Sequence, residues 1–258
     1  MLRIQANADV QKVFAWSGIA MMVLFGLGMW AIAGYIPPTG PRDSIDSVVN
    51  WYDDNQTAIH LGLWVTSIAA ALCGTFFTGI SIQLRRIEGQ TSPLAFCQMI
   101  LGALFVIEFI IPLQIWQAAD YRPTLNPEMT YRLHDLGWFF FLGVVTTAVL
   151  QALLIGWAIL RDEREEPIFP RWVGYTNLWC ALCFMPAGLI VFFKSGPLDW
   201  RGIISFYLLL AAFTVWIVMM VWALLARAIP DQERELVEAG AAAPAAKAEA
   251  APAPVAAK

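Results

Sequence analysis

The sequence predicts an all-α integral membrane protein with six transmembrane helices, and three observations lead to that prediction. Hydrophobic residues make up 59% of the chain and charged residues only 14%, whereas ordinary soluble domains are about 25% charged. The mean hydropathy is +0.62. Six apolar runs are each long enough to cross a hydrocarbon core of about 30 Å, which takes about 20 helical residues. Runs of this length are too continuous for the strands of a membrane barrel.

The domain organisation follows from where those runs begin and end. We expect a cytoplasmic segment over 1–12, a six-helix transmembrane domain over 13–228 and a disordered cytoplasmic tail over 229–258. Ala, Pro and Lys dominate the end of that tail, so it has little apolar surface to bury. The six helices are predicted at 13–36, 60–84, 94–117, 133–160, 172–193 and 202–227.

The distribution of basic residues predicts how the helices are oriented. Nine Lys and Arg residues flank the helices on the side of the termini, and five flank them on the opposite side. Because cytoplasmic loops carry an excess of Lys and Arg, we expect both termini in the cytoplasm and the chain in a bacterial inner membrane.

The connection after the first helix carries a signal for a further short helix near 43–54. Turn-forming residues precede it, and Asp43 or Ser44 can accept hydrogen bonds from the first free backbone N–H groups. Val48 and Tyr52 fall on one side of this helix. We therefore expect it to lie on the outer membrane surface or over the mouth of the bundle.

A weak internal repeat relates two predicted hairpins, 60–117 and 134–193. A shift of 74 residues superimposes four pairs of uncommon residues, which are His60 with His134, Trp64 with Trp138, Pro93 with Pro167, and Pro112 with Pro186. Each hairpin holds two helices, so the copies would share one orientation, as in parallel transporter repeats. Chance is the alternative explanation, since most other positions disagree.

One carboxylate interrupts the third apolar run, at Glu108 in LFVIEFIIPLQIW. A charge at this depth costs at least about 2.5 to 3.5 kcal/mol, so such residues often relay protons, bind ions or contact substrates. The alternative is a neutral carboxyl group that hydrogen-bonds a neighbouring helix near Pro112. Gln114 and Asn177 complete the predicted intramembrane polar site, and Asn177 is expected to bond across helices.

The two histidines of the chain, His60 and His134, both stand at predicted outer helix starts. Two imidazoles at matching depth can ligate the iron of haem b or a metal ion, with Asp120 and Asp135 as further oxygen ligands or hydrogen-bond acceptors. The alternative is that these side chains cap helices and shape a polar outer mouth.

Composition and motifs exclude several classes of function. A net charge of −4 without basic clusters excludes nucleic acid as a partner. No phosphate-binding glycine loop, HExxH or nucleophile elbow occurs, so an enzyme would need its chemistry inside the bundle.

Three functions fit what is left. The first, which the sequence favours, is binding or transport of a small molecule, coupled to protons through Glu108. The second is a non-catalytic subunit or scaffold that binds other membrane subunits within the bilayer. The third is a membrane redox protein in which His60 and His134 hold haem or a metal.

Overall fold

Helices make up the regular structure of the protein, for which the computed structural model describes the backbone of residues 2–249 and the side chains of 7–239. No strand occurs within these residues. Six helical spans are long and apolar enough to cross a membrane, which confirms the predicted all-α membrane fold. The chain is a multi-pass membrane protein.

Within residues 2–249, eight α-helices form these spans together with shorter segments of π- and 3₁₀-helix. The α-helices are α1 (Leu2–Phe25), α2 (Ile45–Glu88), α3 (Pro93–Tyr121), α4 (Pro127–Trp138), α5 (Thr146–Leu160), α6 (Arg171–Phe184), α7 (Leu209–Ala223) and α8 (Ile229–Glu249). The π-helical segments are Gly26–Ile32, Phe139–Gly143, Ile203–Leu208 and Leu224–Ala228, and the 3₁₀ segment is Met185–Phe192.

The spans pack as a closed ring. Around it α1 contacts α2, α2 contacts α3, α3 contacts α5, α5 contacts α6, α6 contacts α7, and α7 returns to α1. Contacts between α2 and α5 cross the middle of the ring. Small residues permit the closest approaches, since a Cβ atom on Gly156 would lie 2.9 Å from the Gly174 carbonyl oxygen. We call the two ends of the bundle the His134 end and the Arg86 end.

The short helix predicted near 43–54 is the beginning of α2 and not a separate element. Ser44 caps α2, and its hydroxyl accepts from the Ser47 N–H at 3.2 Å. No Gly or Pro separates Asp54 from His60, so nothing in the sequence ends the helix there. At 44 residues, α2 is about 66 Å long, roughly twice the hydrocarbon thickness.

The segments predicted to flank the transmembrane domain are helical where the structure describes them. The backbone is helical from Leu2, within the segment predicted over 1–12, and α8 occupies the first part of the predicted tail. Ion pairs hold α8 on the bundle, because Arg86 contacts Asp231 at 3.1 Å and Glu235 at 2.7 Å. Residues 250–258 lie outside the described part of the chain.

The paired positions of the predicted repeat occupy unlike environments. Trp64 is 59% exposed, whereas Trp138 is fully buried. Pro112 lies inside the continuous helix α3, whereas Pro186 is the second residue of the 3₁₀ segment that follows α6. The Trp64–Trp138 and Pro112–Pro186 pairs therefore do not share equivalent packing.

Candidate ligand cavity beside Glu108

A cavity of about 70 Å³ opens among the spans, in the half of the bundle nearer the His134 end. Sixteen residues line it, and seven of them are phenylalanines. Glu108 is the one ionisable side chain in this lining. The sequence-predicted carboxylate therefore faces an aromatic cavity inside the bundle.

Glu108 is half-buried on α3 and makes one hydrogen bond in the described structure. The Thr147 hydroxyl, in the first turn of α5, donates to Glu108 Oε2. A carboxylate can accept about four hydrogen bonds, so most of its acceptor capacity is unused. This is the interhelical bond that the sequence suggested as an alternative, but it satisfies only one carboxylate oxygen.

The backbone around the cavity leaves regular α-helical geometry in four spans. Met29 lies in the π-helical segment after α1, and Phe206 lies in the one before α7. Val144, with φ −88° and ψ 59°, breaks the fourth span between Gly143 and Thr146. Phe184 ends α6, where the 3₁₀ segment begins. Irregular backbone at membrane depth is tolerated where it lines a cavity or is buried in protein, and π-helical turns are frequent at functional sites.

The other two residues of the predicted polar site do not line this cavity. Gln114 is exposed and has no hydrogen bond among the described residues; six residues after Glu108, it lies on another face of α3. Asn177 is buried between α6 and α7, where its Oδ1 accepts from Trp216 Nε1 at 2.7 Å and its Nδ2 donates to the Val173 carbonyl at 2.8 Å. Asn177 therefore makes the predicted interhelical bond.

His134 is buried in a cluster with Tyr35, Thr39, Tyr52 and Trp138, which we call the His134 cluster. Tyr52 Oη lies 2.9 Å from His134 Nδ1 and 3.1 Å from Tyr35 Oη. Thr39 Oγ1 lies 2.6 Å from His134 Nε2, and Trp138 Nε1 donates to the same nitrogen at 3.1 Å. Burial raises the pKa of the Tyr35 phenol well above its ordinary value, so this hydroxyl stays protonated. The cluster joins α2 and α4 to the loop after the first span.

The hydrogen bonds of the His134 cluster determine which ring nitrogen carries the proton. An indole N–H only donates, so Nε2 of His134 must present its lone pair to Trp138. The proton of the neutral ring then lies on Nδ1, which donates to Tyr52. Both ring nitrogens are thus used by protein partners. These residues do not fit a haem or metal ligated by His134, and no group of three His, Cys, Asp or Glu that could hold a metal occurs among the described residues.

His60 lies in a different environment from His134. Its Nε2 is 3.1 Å from Oδ2 of the buried Asp120, and 38% of its side chain is exposed. The two atoms are close enough for contact, but they do not meet the angles of a hydrogen bond. Neither carboxylate oxygen of Asp120 therefore has a hydrogen-bond donor among the described residues. Asp135 is partly exposed on α4, and no hydrogen bond of its carboxylate occurs among the described residues.

Several residues of the site were not singled out from the sequence. Thr147 bonds Glu108, and Tyr35, Thr39 and Tyr52 surround His134. The signal for Thr147 was the polar pair Thr146-Thr147 within an apolar run. A further buried side chain, Gln151, lies one turn after Thr147 with neither its amide nitrogen nor its oxygen hydrogen-bonded.

Comparison of the chain with protein-family models, with curated proteins and with solved structures finds no match.

Proposed function

We propose that this protein binds a small molecule in the Glu108 cavity and carries it across the membrane, with Glu108 coupling that movement to a proton. The observation that carries the proposal is an under-bonded carboxyl group facing a cavity inside a membrane bundle. Such intramembrane acids are expensive to maintain and are commonly functional.

The helix irregularities around the cavity support movement rather than static binding. Many transporters bind their ligands near the middle of the membrane at interrupted helices, and one group of helices then rocks against the rest around that site. Here the fourth span is interrupted at Val144, beside the Thr147 that bonds Glu108. Rocking of the helices on either side of the cavity would open it towards one end of the bundle or the other.

Access to the cavity from each side of the membrane tests this proposal without knowledge of the ligand. Ala148 lines the cavity and is changed to Cys after Cys73, Cys97, Cys180 and Cys183 are replaced by Ala. A membrane-impermeant maleimide is then applied to vesicles of each orientation. We expect Ala148→Cys to react from both sides, because a carrier exposes its site alternately.

Leu150 provides the matched control on the same helix. Leu150 is exposed on another face of α5, which lies against lipid when the helix spans a membrane. Because the reagent requires water, Leu150→Cys should react from neither side. Reaction of Ala148→Cys from one side only, or from neither, would argue against transport and favour a subunit or scaffold of a larger complex.

We further propose that the Arg86 end, with both termini, faces the cytoplasm of a bacterial cell. The excess of basic residues at that end supports this orientation. A fluorescent protein fused after Lys258 should fold and fluoresce, while alkaline phosphatase inserted in the 122–126 loop should be active. A dark fluorescent protein together with an inactive phosphatase would show that the opposite orientation is correct.

A further inference from the structure

We infer that the ligand of the Glu108 cavity is a small apolar monocation, such as an alkylated or aromatic ammonium ion. This inference rests on the proposed function and adds the class of ligand to it. Three features of the cavity carry it: the charge of the lining, the arrangement of the aromatic rings, and the size of the space.

The charge of the lining selects a cation. Glu108 contributes a carboxylate, and the other fifteen lining residues include no Lys, Arg or His. An anionic ligand would place a second negative charge beside Glu108 without a partner, which is strongly unfavourable in an apolar site. A monocation neutralises the carboxylate and uses the acceptor capacity that Thr147 leaves free.

The aromatic rings suit a positive charge dispersed over alkyl groups. Phe109 is central, with ring centroids 4.8 Å from Phe105, 5.6 Å from Phe141 and 5.9 Å from Phe25. The negative faces of such rings attract cations within about 6 Å, and groups of aromatic rings recognise quaternary ammonium ions. A sugar or other polyol would instead lose its hydrogen bonds to water here, because the lining offers few polar partners.

The size of the cavity limits what enters it. An apolar cavity of about 150 Å³ holds a benzene molecule, so about 70 Å³ accommodates a head of a few heavy atoms, such as a methylated ammonium group. Longer apolar parts of a ligand would leave past Val144, a lining residue that is 38% exposed.

Competition with protons follows from the same geometry. A cation binds the ionised carboxylate, and a proton bound to Glu108 removes that charge. No other titratable side chain from any packed element lines the cavity, so Glu108 alone would set the pH dependence. Cation affinity should therefore rise with pH, by up to about tenfold per unit while Glu108 is mostly protonated. A carrier of this kind would exchange one cation for one proton.

The test uses two probes of the same shape and different charge. Choline carries a trimethylammonium group, and 3,3-dimethylbutan-1-ol carries a neutral tert-butyl group in its place; benzyltrimethylammonium serves as a more apolar cation. Binding to the full-length protein in lipid nanodiscs is measured by isothermal titration calorimetry at pH 5.5 and pH 8. We expect both cations to bind at least tenfold more tightly than the neutral alcohol, and more tightly at pH 8.

Two variants test whether the carboxylate of Glu108 is the charge that binds the cation. Glu108→Gln should lower cation affinity at least tenfold and abolish its pH dependence. Glu128→Gln, at an exposed carboxylate near the His134 end, should change neither. Because the paired probes and the two pH values are compared in the wild-type protein, the inference stays testable if Glu108→Gln fails to fold.

The outcomes separate this inference from the proposed function. Equal affinity for choline and its neutral analogue, unchanged in Glu108→Gln, would overturn the cation class and leave transport of a neutral ligand. No binding of any probe, with Ala148→Cys labelled from both sides, would also overturn it while transport stands. No binding together with a cavity closed to both sides would remove both proposals.

Discussion

The Glu108 cavity and the His134 cluster are neighbours in the bundle but opposite in how their polar groups are satisfied. Glu108 has one hydrogen bond and faces open space, whereas both ring nitrogens of His134 are bonded and the residue is 1% exposed. Aromatic rings connect the two regions, since Phe141 contacts both Phe109 and Trp138.

The two polar residues therefore differ in unused bonding capacity, since one oxygen of Glu108 has no donor among the described residues while both ring nitrogens of His134 have partners. The His134 cluster fastens the loop after the first span to α2 and α4, and Trp200 Nε1 adds a bond to the Thr39 carbonyl at 2.9 Å. These bonds join the chain segments at the His134 end of the bundle. Glu108 retains capacity for a ligand, so we expect changes in the cluster to affect stability and changes in the cavity to affect binding.

Replacement of His134 by Ala should produce the largest loss of stability. It leaves Tyr52 and Trp138 without their partner and opens a cavity, at a cost of about 3 to 5 kcal/mol. Thermal unfolding followed by tryptophan fluorescence in detergent measures the loss. His60→Ala is the matched control and should change stability by less than about 1 kcal/mol, since His60 is partly exposed and its contact with Asp120 has poor geometry. Equal losses for the two histidines would contradict the comparison.

Removal of a single hydroxyl from the His134 cluster should have the next largest effect. Tyr52→Phe takes away the atom that joins His134 Nδ1 to Tyr35. A buried donor left without its acceptor costs about 1 to 3 kcal/mol. The same unfolding measurement applies, and Tyr121→Phe, at an exposed phenol, should be neutral. If Tyr52→Phe left the free energy of unfolding unchanged, the hydrogen bonds that join His134, Tyr52 and Tyr35 would contribute little to stability.

Glu108→Gln should leave stability within about 1 kcal/mol of the wild type, because the amide can still accept from Thr147 and no buried charge is left unpaired. The same variant should lose coupling to protons, which is measured as pH-driven uptake of a bound ligand into proteoliposomes. A loss of stability as large as that of His134→Ala would place Glu108 among the structural groups.

Hydropathy predicted the number of spans because each apolar run is long enough to cross the membrane and is interrupted by polar loops. It did not predict that α2 is continuous from Ile45, although no Gly or Pro ends the helix between Asp54 and His60. It also did not predict α8, which is held on the bundle by contacts distant in sequence, such as Arg86 with Asp231. Glu108 was identified because a carboxylate in an apolar run is costly wherever it points. The partners of Glu108 and His134 could not be identified, because sequence does not fix how one helix is rotated against the next.

Replacement of Gln114 should have the smallest effect, and it tests whether this residue belongs to the same site as Glu108. The sequence grouped it with Glu108, and the structure exposes it away from the cavity on another face of α3. Gln114→Leu should therefore leave ligand affinity within about twofold and stability within about 0.5 kcal/mol, as for most surface substitutions. Binding measured beside Glu108→Gln makes the contrast direct, because both variants alter a polar side chain of the same helix. A tenfold loss in Gln114→Leu would mean that the ligand contacts a second face of α3, and the cavity beside Glu108 would then be only part of its route.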